Sequence, residues 1–390
     1  MTRVTVHEYA AALRPRYRVA GRRDKHRILD EFCQTTGLHR KAAIRLLNEE
    51  RRPMAVRRGR PRKYGPAVVA PLAQIWETGD RMCGKLLKAA MPDLLAALHR
   101  HGELRVDPEI RELLLAMSAS TIDRLLGRQQ RRLSSFLPRH REPAQASLKN
   151  KVPIRTWAEW DGVKPGSLQA DLVLHCGEGT EGFYLTTLSA VDVATGWTEL
   201  QPVWGLGMAR VGAAVHYISQ RIPFPLNALH TDNGSEFINR ALIDWSRRYA
   251  IAFSRGRAYK KNDQAWIEQR NWQSVRRHVG YQRYSSRAAF DLLLKLYPLL
   301  NLQMNFFRPV RKLVSKERQG AKVTKRYDEP RTPYQRLVAS GVLSEIAQAR
   351  IEKQLEALNP AELQRRIDQL QHRLWDTADR WKGGSLASVR

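Results

Sequence analysis

The order of apolar segments between residues 167 and 279 constrains the fold of this chain more than any other feature of its sequence. Segments typical of strands, rich in β-branched and aromatic side chains, come first, at 167–175, 183–193 and 197–203. Helical and strand patterns then alternate at 208–220, 225–231, 239–249, 251–254 and 263–279. Three antiparallel strands followed by helix, strand, helix, strand and helix predict a mixed α/β domain with a five-stranded sheet.

The chain carries a large excess of positive charge. Lys and Arg number 67 against 38 Asp and Glu, which gives a formal charge of +29. A compact fold with this charge repels itself unless an anionic partner offsets the repulsion, and nucleic acid is the usual partner because each neutralised phosphate releases a counterion. Ribosomal and membrane-surface proteins are also basic, so the charge alone does not identify the partner.

Cysteine content and hydropathy exclude several classes of protein. Cys33, Cys83 and Cys176 are widely spaced and odd in number, so they form neither a disulfide framework nor a zinc motif. Such usage fits a reducing cytosol. The first residues lack the apolar core of a signal peptide, and no run of about 18 apolar residues occurs, so we expect a cytoplasmic protein with no membrane partner.

The first fifty residues have the pattern of a helix-turn-helix unit. A helical segment at 22–33 is followed by a break at 35–38 and a second helical segment at 39–49. Arg40, Lys41 and Arg45 lie on the polar face of the second segment, where we expect them to contact DNA. A plain helical hairpin fits the same pattern nearly as well.

A basic segment follows at 51–63, with seven Lys or Arg residues and no acidic residue. Its part from 59 to 63 resembles an AT-hook, which lies extended in the minor groove. Arg58, Arg60, Arg62 and Lys63 are therefore candidate DNA contacts. A solvated linker that touches only phosphates is an equally good interpretation.

A second helical block is expected over residues 66–130. Candidate helices lie at 68–76, 85–90, 94–101, 110–116 and 121–126. Residues 118–126, with serines before an apolar helix, look like the turn and second helix of another helix-turn-helix.

Three acidic residues stand out in the predicted α/β domain. Asp171 lies within the first strand, Asp232 ends the strand at 225–231, and Glu268 lies inside the helix at 263–279. Adjacent central strands would bring the two aspartates to one edge of the sheet, and the helix can carry Glu268 to them. Three such carboxylates repel one another unless they bind cations, and oxygen ligands favour Mg²⁺ or Mn²⁺. Two ions about 3.5–4 Å apart can bracket a phosphodiester.

The spacing and local sequence of this trio resemble a known family. Sixty residues separate Asp171 from Asp232, and 35 separate Asp232 from Glu268. With the sequences at 192–197, 229–237 and 260–269, this looks like the D,D(35)E motif of the retroviral-integrase superfamily. An Asp-Asn-Gly tripeptide alone, as at 232–234, is also a turn signal.

The resemblance implies a ribonuclease-H-like core and the activity of a bacterial insertion-sequence transposase. Such an enzyme nicks the ends of a mobile DNA element and joins the freed 3′-hydroxyls to target DNA, with two Mg²⁺ or Mn²⁺ ions per active site. Double-stranded DNA is then the partner, and we expect a homo-oligomer, a dimer or tetramer on DNA, associated with the bacterial nucleoid. The N-terminus lacks the His-His-Cys-Cys zinc module of a retroviral integrase, which favours a transposase.

Other residues near the trio receive weaker assignments. Lys260 and Lys261 precede the helix of Glu268 and are candidate phosphate contacts, although a solvated basic loop remains an alternative. Asn271 shares a helix face with Glu268 and fits either a contact to DNA or water, or ordinary surface polarity. Asp192, before a turn, is expected to be structural. Glu236 follows Asp232 by four residues and fits either a group that helps to order the site or, preferably, an exposed carboxylate at the start of a helix.

Together these patterns predict a multidomain α plus α/β protein. The predicted divisions are a helix-turn-helix domain at 1–50, a basic linker at 51–65, a second helix-turn-helix domain at 66–130, a linker at 131–156, the catalytic core at 157–305, a basic module at 306–340 and C-terminal helices at 341–390. The pattern at 305–340 fits either a small sheet or an extended arm, and the segment 344–381 is expected to form two helices with a break at 359–360. The rival functions are a DNA-binding regulator with an inactive core and a nuclease that hydrolyses DNA without joining it.

Overall fold

The computed structural model describes residues 2–48, 63–133, 163–232, 234, 236–256, 270–320 and 322–379. The chain divides into two compact units, Met1–Lys63 and Tyr64–Arg390. The finer domain boundaries expected from the sequence stay predictions.

The first unit contains the helices α1 (Arg3–Val19), α2 (Arg22–Thr36) and α3 (Arg40–Asn48). Helix α2 ends at Gly37, which adopts a left-handed conformation with φ +70° and donates its N–H to the Cys33 carbonyl at 2.9 Å. The buried residues of this unit include Val6, Ala10, Ile28, Leu29, Phe32, Ala43 and Leu47. Helices thus occur near the predicted positions, and a DNA-reading role for them stays a prediction.

The second unit begins with the helices α4 (Pro66–Thr78), α5 (Gly84–Arg100), α6 (Pro108–Leu115) and α7 (Ala119–Leu133). Helices α5 and α7 approach closely at Gly84, whose N–H donates to Asp123 Oδ1 at 2.6 Å. A Cβ atom at Gly84 would lie 2.2 Å from the Ala119 carbonyl oxygen. Only glycine allows this crossing without a shift of the backbone.

Helix α5 corrects one sequence prediction. The segments 85–90 and 94–101 were expected to be separate helices, but α5 continues through Pro92. An internal proline costs about 3 kcal/mol. The apolar face continues on both sides of it with Leu87, Met91, Leu94 and Leu98 buried, and full burial of each such side chain contributes about 1.5–3 kcal/mol. Continuous burial therefore outweighs the missing hydrogen bond.

A mixed sheet forms the centre of the second unit. Its strands are β1 (Ser167–Leu174), β2 (Thr186–Asp192), β3 (Thr198–Val203), β4 (Ala228–Thr231) and β5 (Ala252–Arg255). Their order in the sheet is β3-β2-β1-β4-β5. The first three strands pair antiparallel, whereas β4 is parallel to β1 and to β5. Helix α8 (Met208–Arg221) connects β3 to β4, and α9 (Arg240–Arg248) connects β4 to β5. The predicted five-stranded mixed sheet with helices is confirmed.

Helices cover both faces of this sheet. On one face, Arg221 of α8 donates to Gln201 Oε1 of β3 at 2.6 Å. On the other face lies α11 (Arg287–Leu302), whose Tyr297 hydroxyl bonds to Thr187 of β2. Gln201 is paired with Leu188, the neighbour of Thr187, so the two contacts are on opposite faces. Residues 270–279, here called α10, contain the π-helical turn Trp272–Arg276 and the α-helical turn Arg277–Val279.

Side-chain amides from one helix cover the edge strand β3. Asn301 in α11 and Asn305 in the following π-helical turn Gln303–Phe307 are buried. Asn305 accepts a hydrogen bond from Thr198 N at 2.8 Å and donates to Thr198 O at 2.9 Å. Asn301 accepts from Leu200 N at 3.0 Å. These amides occupy backbone groups that a further strand would otherwise use.

The region 305–340, for which the sequence left a small sheet and an extended arm open, contains a hairpin. Its strands are β6 (Leu313–Gln319) and β7 (Lys322–Tyr327), and α12 (Pro333–Ala339) follows. Two helices, α13 (Glu345–Ala357) and α14 (Pro360–Asp376), complete the described chain as predicted. Leu363, Ile367 and Leu374 of α14 belong to the same hydrophobic core as the sheet, so this helix packs within its own chain.

A buried ionic cluster connects the first helical block of the second unit to α10 and to the residue that follows the π-helical turn Gln303–Phe307. Asp80, just after α4, forms ion pairs with Arg308 and with Arg277 of α10, the latter at 3.0 Å. Asp80 and Arg308 are both buried. Removal of one partner of such a pair leaves an uncompensated buried charge.

Within the described ranges, no helix combines the length and apolar character needed to cross a bilayer.

Candidate active site

The first two predicted acidic residues lie at equivalent positions of neighbouring strands. In the parallel pair β1–β4, Gln169 is opposite His230 and Ala170 is opposite Thr231. The next residues along the two strands are Asp171 and Asp232. Parallel strands lie about 4.8 Å apart, and residues in register project to the same face. The structure therefore brings these two aspartates together, while their role as metal ligands stays a prediction.

The carboxylate of Asp171 is held by two described hydrogen bonds. Leu172 N donates to its Oδ1 atom at 2.9 Å. Asn271 of α10 donates from Nδ2 to its Oδ2 atom at 2.6 Å. The amide nitrogen of Asn271 thus connects α10 directly to β1.

The other polar atom of Asn271 has no such partner. Its Oδ1 atom is buried and accepts no hydrogen bond from any described residue. A buried polar atom without a partner carries a free-energy cost of about 1–3 kcal/mol. The unsatisfied atom is an oxygen beside the Asp171 carboxylate, and a hard divalent cation or an ordered water would satisfy it.

Asp232 is held by the backbone of the residues that follow it. Gly234 N donates to Asp232 Oδ1 at 3.0 Å. Burial raises the pKa of the Asp232 carboxyl above its usual value; the Gly234 N–H lowers it, and the nearby Glu236 carboxylate raises it. A bound cation would offset the cost of keeping this carboxylate charged.

Glu236 lies closer to the site than the sequence indicated. Its carboxylate covers Gly234, because a Cβ atom built on that glycine would lie 2.5 Å from Glu236 Oε1. Its charge acts on Asp232 and also on Tyr184, where burial and then Cys176 raise the pKa of the phenol, Arg283 lowers it, and Glu236 raises it. Glu236 is thus an additional acidic group at this end of the sheet. The four-residue spacing from Asp232 was the only sequence signal for it.

Several predicted site residues lie outside the described residues. These are Glu268, Lys260 and Lys261 in the interval 257–269, and Arg58, Arg60 and Arg62 in the interval 49–62. Among the described residues, no group of three or more His, Cys, Asp or Glu side chains is arranged to hold a metal ion. The oxygen atoms of Asp171, Asp232 and Asn271 nevertheless form a donor set of the kind that Mg²⁺ and Mn²⁺ prefer.

The described DNA-contact candidates of the first unit differ in their accessibility. Lys41 and Arg45 of α3 are exposed, as is Lys63. Arg40 is half-buried and forms an ion pair with Asp30 of α2, and its Nη2 atom lies 2.9 Å from His26 Nδ1. Lys41 and Arg45 are therefore more accessible to a phosphate than Arg40 is.

Asp192 has a structural environment, as its position before a turn indicated. It accepts hydrogen bonds from Gly166 N at 2.9 Å, Ser167 N at 3.1 Å and Thr195 N at 2.8 Å. Burial raises the pKa of its carboxyl, and these hydrogen bonds together with that from the Thr195 hydroxyl oppose the increase. Asp192 is opposite Leu168, at the end of the sheet away from Asp232.

The fold and these contacts define a mixed α/β protein with one carboxylate within β1 and a second directly after the carboxyl end of the parallel strand β4. Uncharacterized protein y4rM of Sinorhizobium fredii is 42% identical to the chain over 329 residues, which cover 84% of this chain and 94% of that protein. The chain belongs to the same family as y4rM. No protein-family model matches the chain.

One solved structure with partial similarity is the catalytic core domain of BIV integrase. It is 18% identical, with a TM-score of 0.30, and the overlap covers 44% of this chain and 95% of that domain. A similarity at this level does not establish a shared activity.

Proposed function

We propose that the protein is a DNA transposase with a ribonuclease-H-like, retroviral-integrase-type catalytic core. One observation carries the proposal: Asp171 and Asp232 follow in register on β1 and β4, and Asn271 of α10 donates to Asp171 at 2.6 Å. Acidic side chains within one central strand and directly after its parallel neighbour, with a helix against the first, form the arrangement that the D,D(35)E resemblance implies.

Glu268 supplies the third carboxylate in this proposal. It precedes Asn271 by three residues, and side chains three apart on a helix lie on the same face. A helical course through 268–271 would bring Glu268 to the face that already contacts Asp171. The spacing of the sequence motif and the Asn271 contact support the same assignment independently.

The chain's own residues bind and orient the reacting groups. Leu172 N and Asn271 fix the orientation of the Asp171 carboxylate, and Gly234 N fixes that of Asp232. Two Mg²⁺ or Mn²⁺ ions supply activation of the attacking hydroxyl and charge neutralisation at the scissile phosphate when bound. Lys260 and Lys261 contact phosphates beside the site.

DNA recognition belongs to the other regions in this proposal. Arg40, Lys41 and Arg45 of the first unit, the basic residues Arg58, Arg60, Arg62 and Lys63, and the helical block before the sheet bind the element ends. Two ends must be held together for paired attack, so the active form is a dimer or tetramer on DNA in the bacterial cytoplasm, associated with the nucleoid. The positive charge of +29 supports this partner.

The proposal is tested by Mg²⁺-dependent joining of pre-cut duplexes, with sequences taken from the DNA that borders the gene. Asp232→Asn and Glu268→Gln should each reduce joining by more than about 100-fold, since loss of groups that only support a ligand already costs about 10–100-fold. Binding of the same duplexes without metal should be unchanged, because neither carboxylate contributes attraction for phosphate.

Asp244→Asn is the matched control, because Asp244 lies on α9 and, within the part of the chain that the structure describes, forms ion pairs with Arg240 and Arg247 of its own helix. Its joining activity should equal that of the unmodified protein. Hydrolysis of the duplexes without joining would identify a nuclease instead. Binding without chemistry under any metal condition would identify a regulator.

A further inference from the structure

The hairpin β6–β7 is an exposed, strongly basic ribbon. Residues 311–327 contain seven Lys or Arg residues and one acidic residue. Residues 323–327 of β7 are all exposed, and so are Glu317 and Gln319 of β6. Val314 is 68% exposed and Val323 is 41% exposed, although valine usually packs when it lies in a strand. The described chain therefore leaves this ribbon largely uncovered.

The strand register distributes the charges of the ribbon unequally between its two faces. Lys316 is opposite Lys325, and Arg318 is opposite Val323 two positions further along. Cross-strand partners share a face, and so do residues two apart in one strand. Lys316, Lys325 and Arg318 therefore lie on the same face. The alternate positions, which include Lys322, Arg326 and the acidic Glu317, belong to the other face, so three cations without an acid lie on one face and two cations with one acid on the other.

This arrangement is unfavourable for the isolated hairpin. Like charges directly opposite each other on neighbouring strands destabilise the pair, and Lys316 and Lys325 are such a pair. A two-stranded hairpin is only marginally stable by itself. An anionic partner on this face would remove the repulsion.

The base of the ribbon is firmly attached to the rest of the second unit. Asp328 Oδ1 accepts from Lys312 N at 2.6 Å, and Asp328 pairs with Arg336 of α12 at 2.7 Å. Lys312 Nζ donates to Ala194 O at 3.0 Å, in the turn between β2 and β3. The ribbon thus has a fixed origin at the end of the sheet that holds Asp192, away from Asp232.

Charged residues also protect exposed strand edges from pairing with other chains. Charges on either face of a hairpin protect its edges equally well, and edge protection does not require cations directly opposite each other. Protection of the edge therefore does not account for the concentration of Lys316, Arg318 and Lys325 on one face.

We propose that this face of the hairpin binds the phosphate backbone of duplex DNA. A seven-residue strand spans about 23 Å, and a two-stranded ribbon fits a major groove about 12 Å wide. Lys316, Arg318 and Lys325 lie along the ribbon and contact phosphates, so the binding is independent of base sequence. The inference rests on the proposed function only in taking duplex DNA as the partner, and it assigns the contact to DNA beyond the reacting phosphate.

The experiment measures duplex affinity of the full-length chain at several KCl concentrations, without divalent metal, with a 30-base-pair duplex of arbitrary sequence. The test variant is K316Q/R318Q/K325Q. Each phosphate contact contributes about 0.9 to the slope of log affinity against log salt. The slope should therefore fall by about 2–3. Replacement of Lys316 and Lys325 by Arg should keep the original slope, since positive charge is retained.

The matched control is K322Q/R326Q, which removes two cations from the same hairpin at positions off this face. It should change the slope by much less than the test variant does. Changes in proportion to the number of cations removed, three against two, would mean that only net charge matters, and an unchanged slope in the test variant would remove the ribbon from DNA binding. Either result overturns the inference.

Other outcomes are also informative. If the test variant keeps the parent slope but loses self-association in sedimentation, the ribbon contacts protein and the inference is wrong. If the parent protein does not bind duplex DNA at all, the proposed function fails as well. Failure of the ribbon alone leaves joining by the parent protein intact, so the two failures are distinguishable.

Discussion

At the level of single residues, Asn271 is the side chain that connects α10 to the carboxylate of Asp171. Its Nδ2 atom orients that carboxylate, and its buried Oδ1 atom lacks a described partner. The sequence placed Asn271 on the same face as Glu268 but left surface polarity as an equal interpretation. The spacing alone does not show that the helix face packs against β1, which depends on tertiary structure.

Asn271→Ala tests this positioning role. We expect joining to fall by about 10–100-fold, because groups that orient a ligand contribute at this level. The Mg²⁺ concentration that gives half-maximal activity should increase, whereas duplex affinity without metal should not change. Gln273→Ala is the control two residues along the same helix. Equal metal dependence in Asn271→Ala and the parent protein would contradict the assignment.

At the level of secondary-structure elements, Gly84 determines how closely α5 and α7 pack. A methyl group there meets the Ala119 backbone oxygen at 2.2 Å and the Asp123 carboxylate at 2.9 Å. The Ala119 backbone oxygen is held in α7, so α5 and α7 must move apart to make room for the added methyl group.

Gly84→Ala should therefore lower the free energy of unfolding of the second unit by about 1–3 kcal/mol, the usual cost of overpacking. Chemical denaturation followed by circular dichroism measures the change. Gly212→Ala in α8 is the control, because a Cβ atom there meets nothing within 4 Å. It should raise stability by about 0.5–1 kcal/mol through the higher helix propensity of alanine. Similar losses in both variants would show that the close crossing is not the cause.

Local pattern predicted elements well where burial and periodicity agree. The alternation after residue 167 gave the strands and helices of the sheet in their correct order, and the break at 359–360 separates α13 from α14. The pattern did not reveal that α5 continues through Pro92, because burial of its apolar face is a tertiary effect. It also left the hairpin β6–β7 undecided, since basic residues are compatible with both a strand and an extended arm.

At the level of the whole molecule, the pH dependence of stability reflects buried histidines. His175 is fully buried, and burial, followed by the nearby Arg276, lowers its pKa to about 3. In the unfolded chain the imidazole takes up a proton below about pH 6.5, whereas in the folded state it stays neutral down to about pH 3. Stability is therefore complete above pH 6.5 and decreases as the pH falls toward 3.

His175→Gln should reduce this dependence. Each such histidine contributes a slope of about 1.4 kcal/mol per pH unit between the unfolded and folded pKa values. Unfolding free energies of the parent and the variant, measured from pH 8 to pH 4.5, should differ by a constant amount above pH 7. Below pH 6 the difference should change steadily, because only the parent loses the His175 contribution. A constant difference at every pH would contradict the assigned contribution of His175 to the pH dependence of stability.

The covered edge of the sheet limits how copies of the chain can associate. Asn305 and Asn301 bond the outward backbone groups of Thr198 and Leu200, and the next outward position in β3 is Pro202, which has no N–H to donate. A strand from another molecule would therefore meet no unpaired outward N–H group between Thr198 and Pro202 of β3. Any multimer must therefore be built by other surfaces, and intermolecular growth of the sheet through β3, the route that leads towards fibres, is closed.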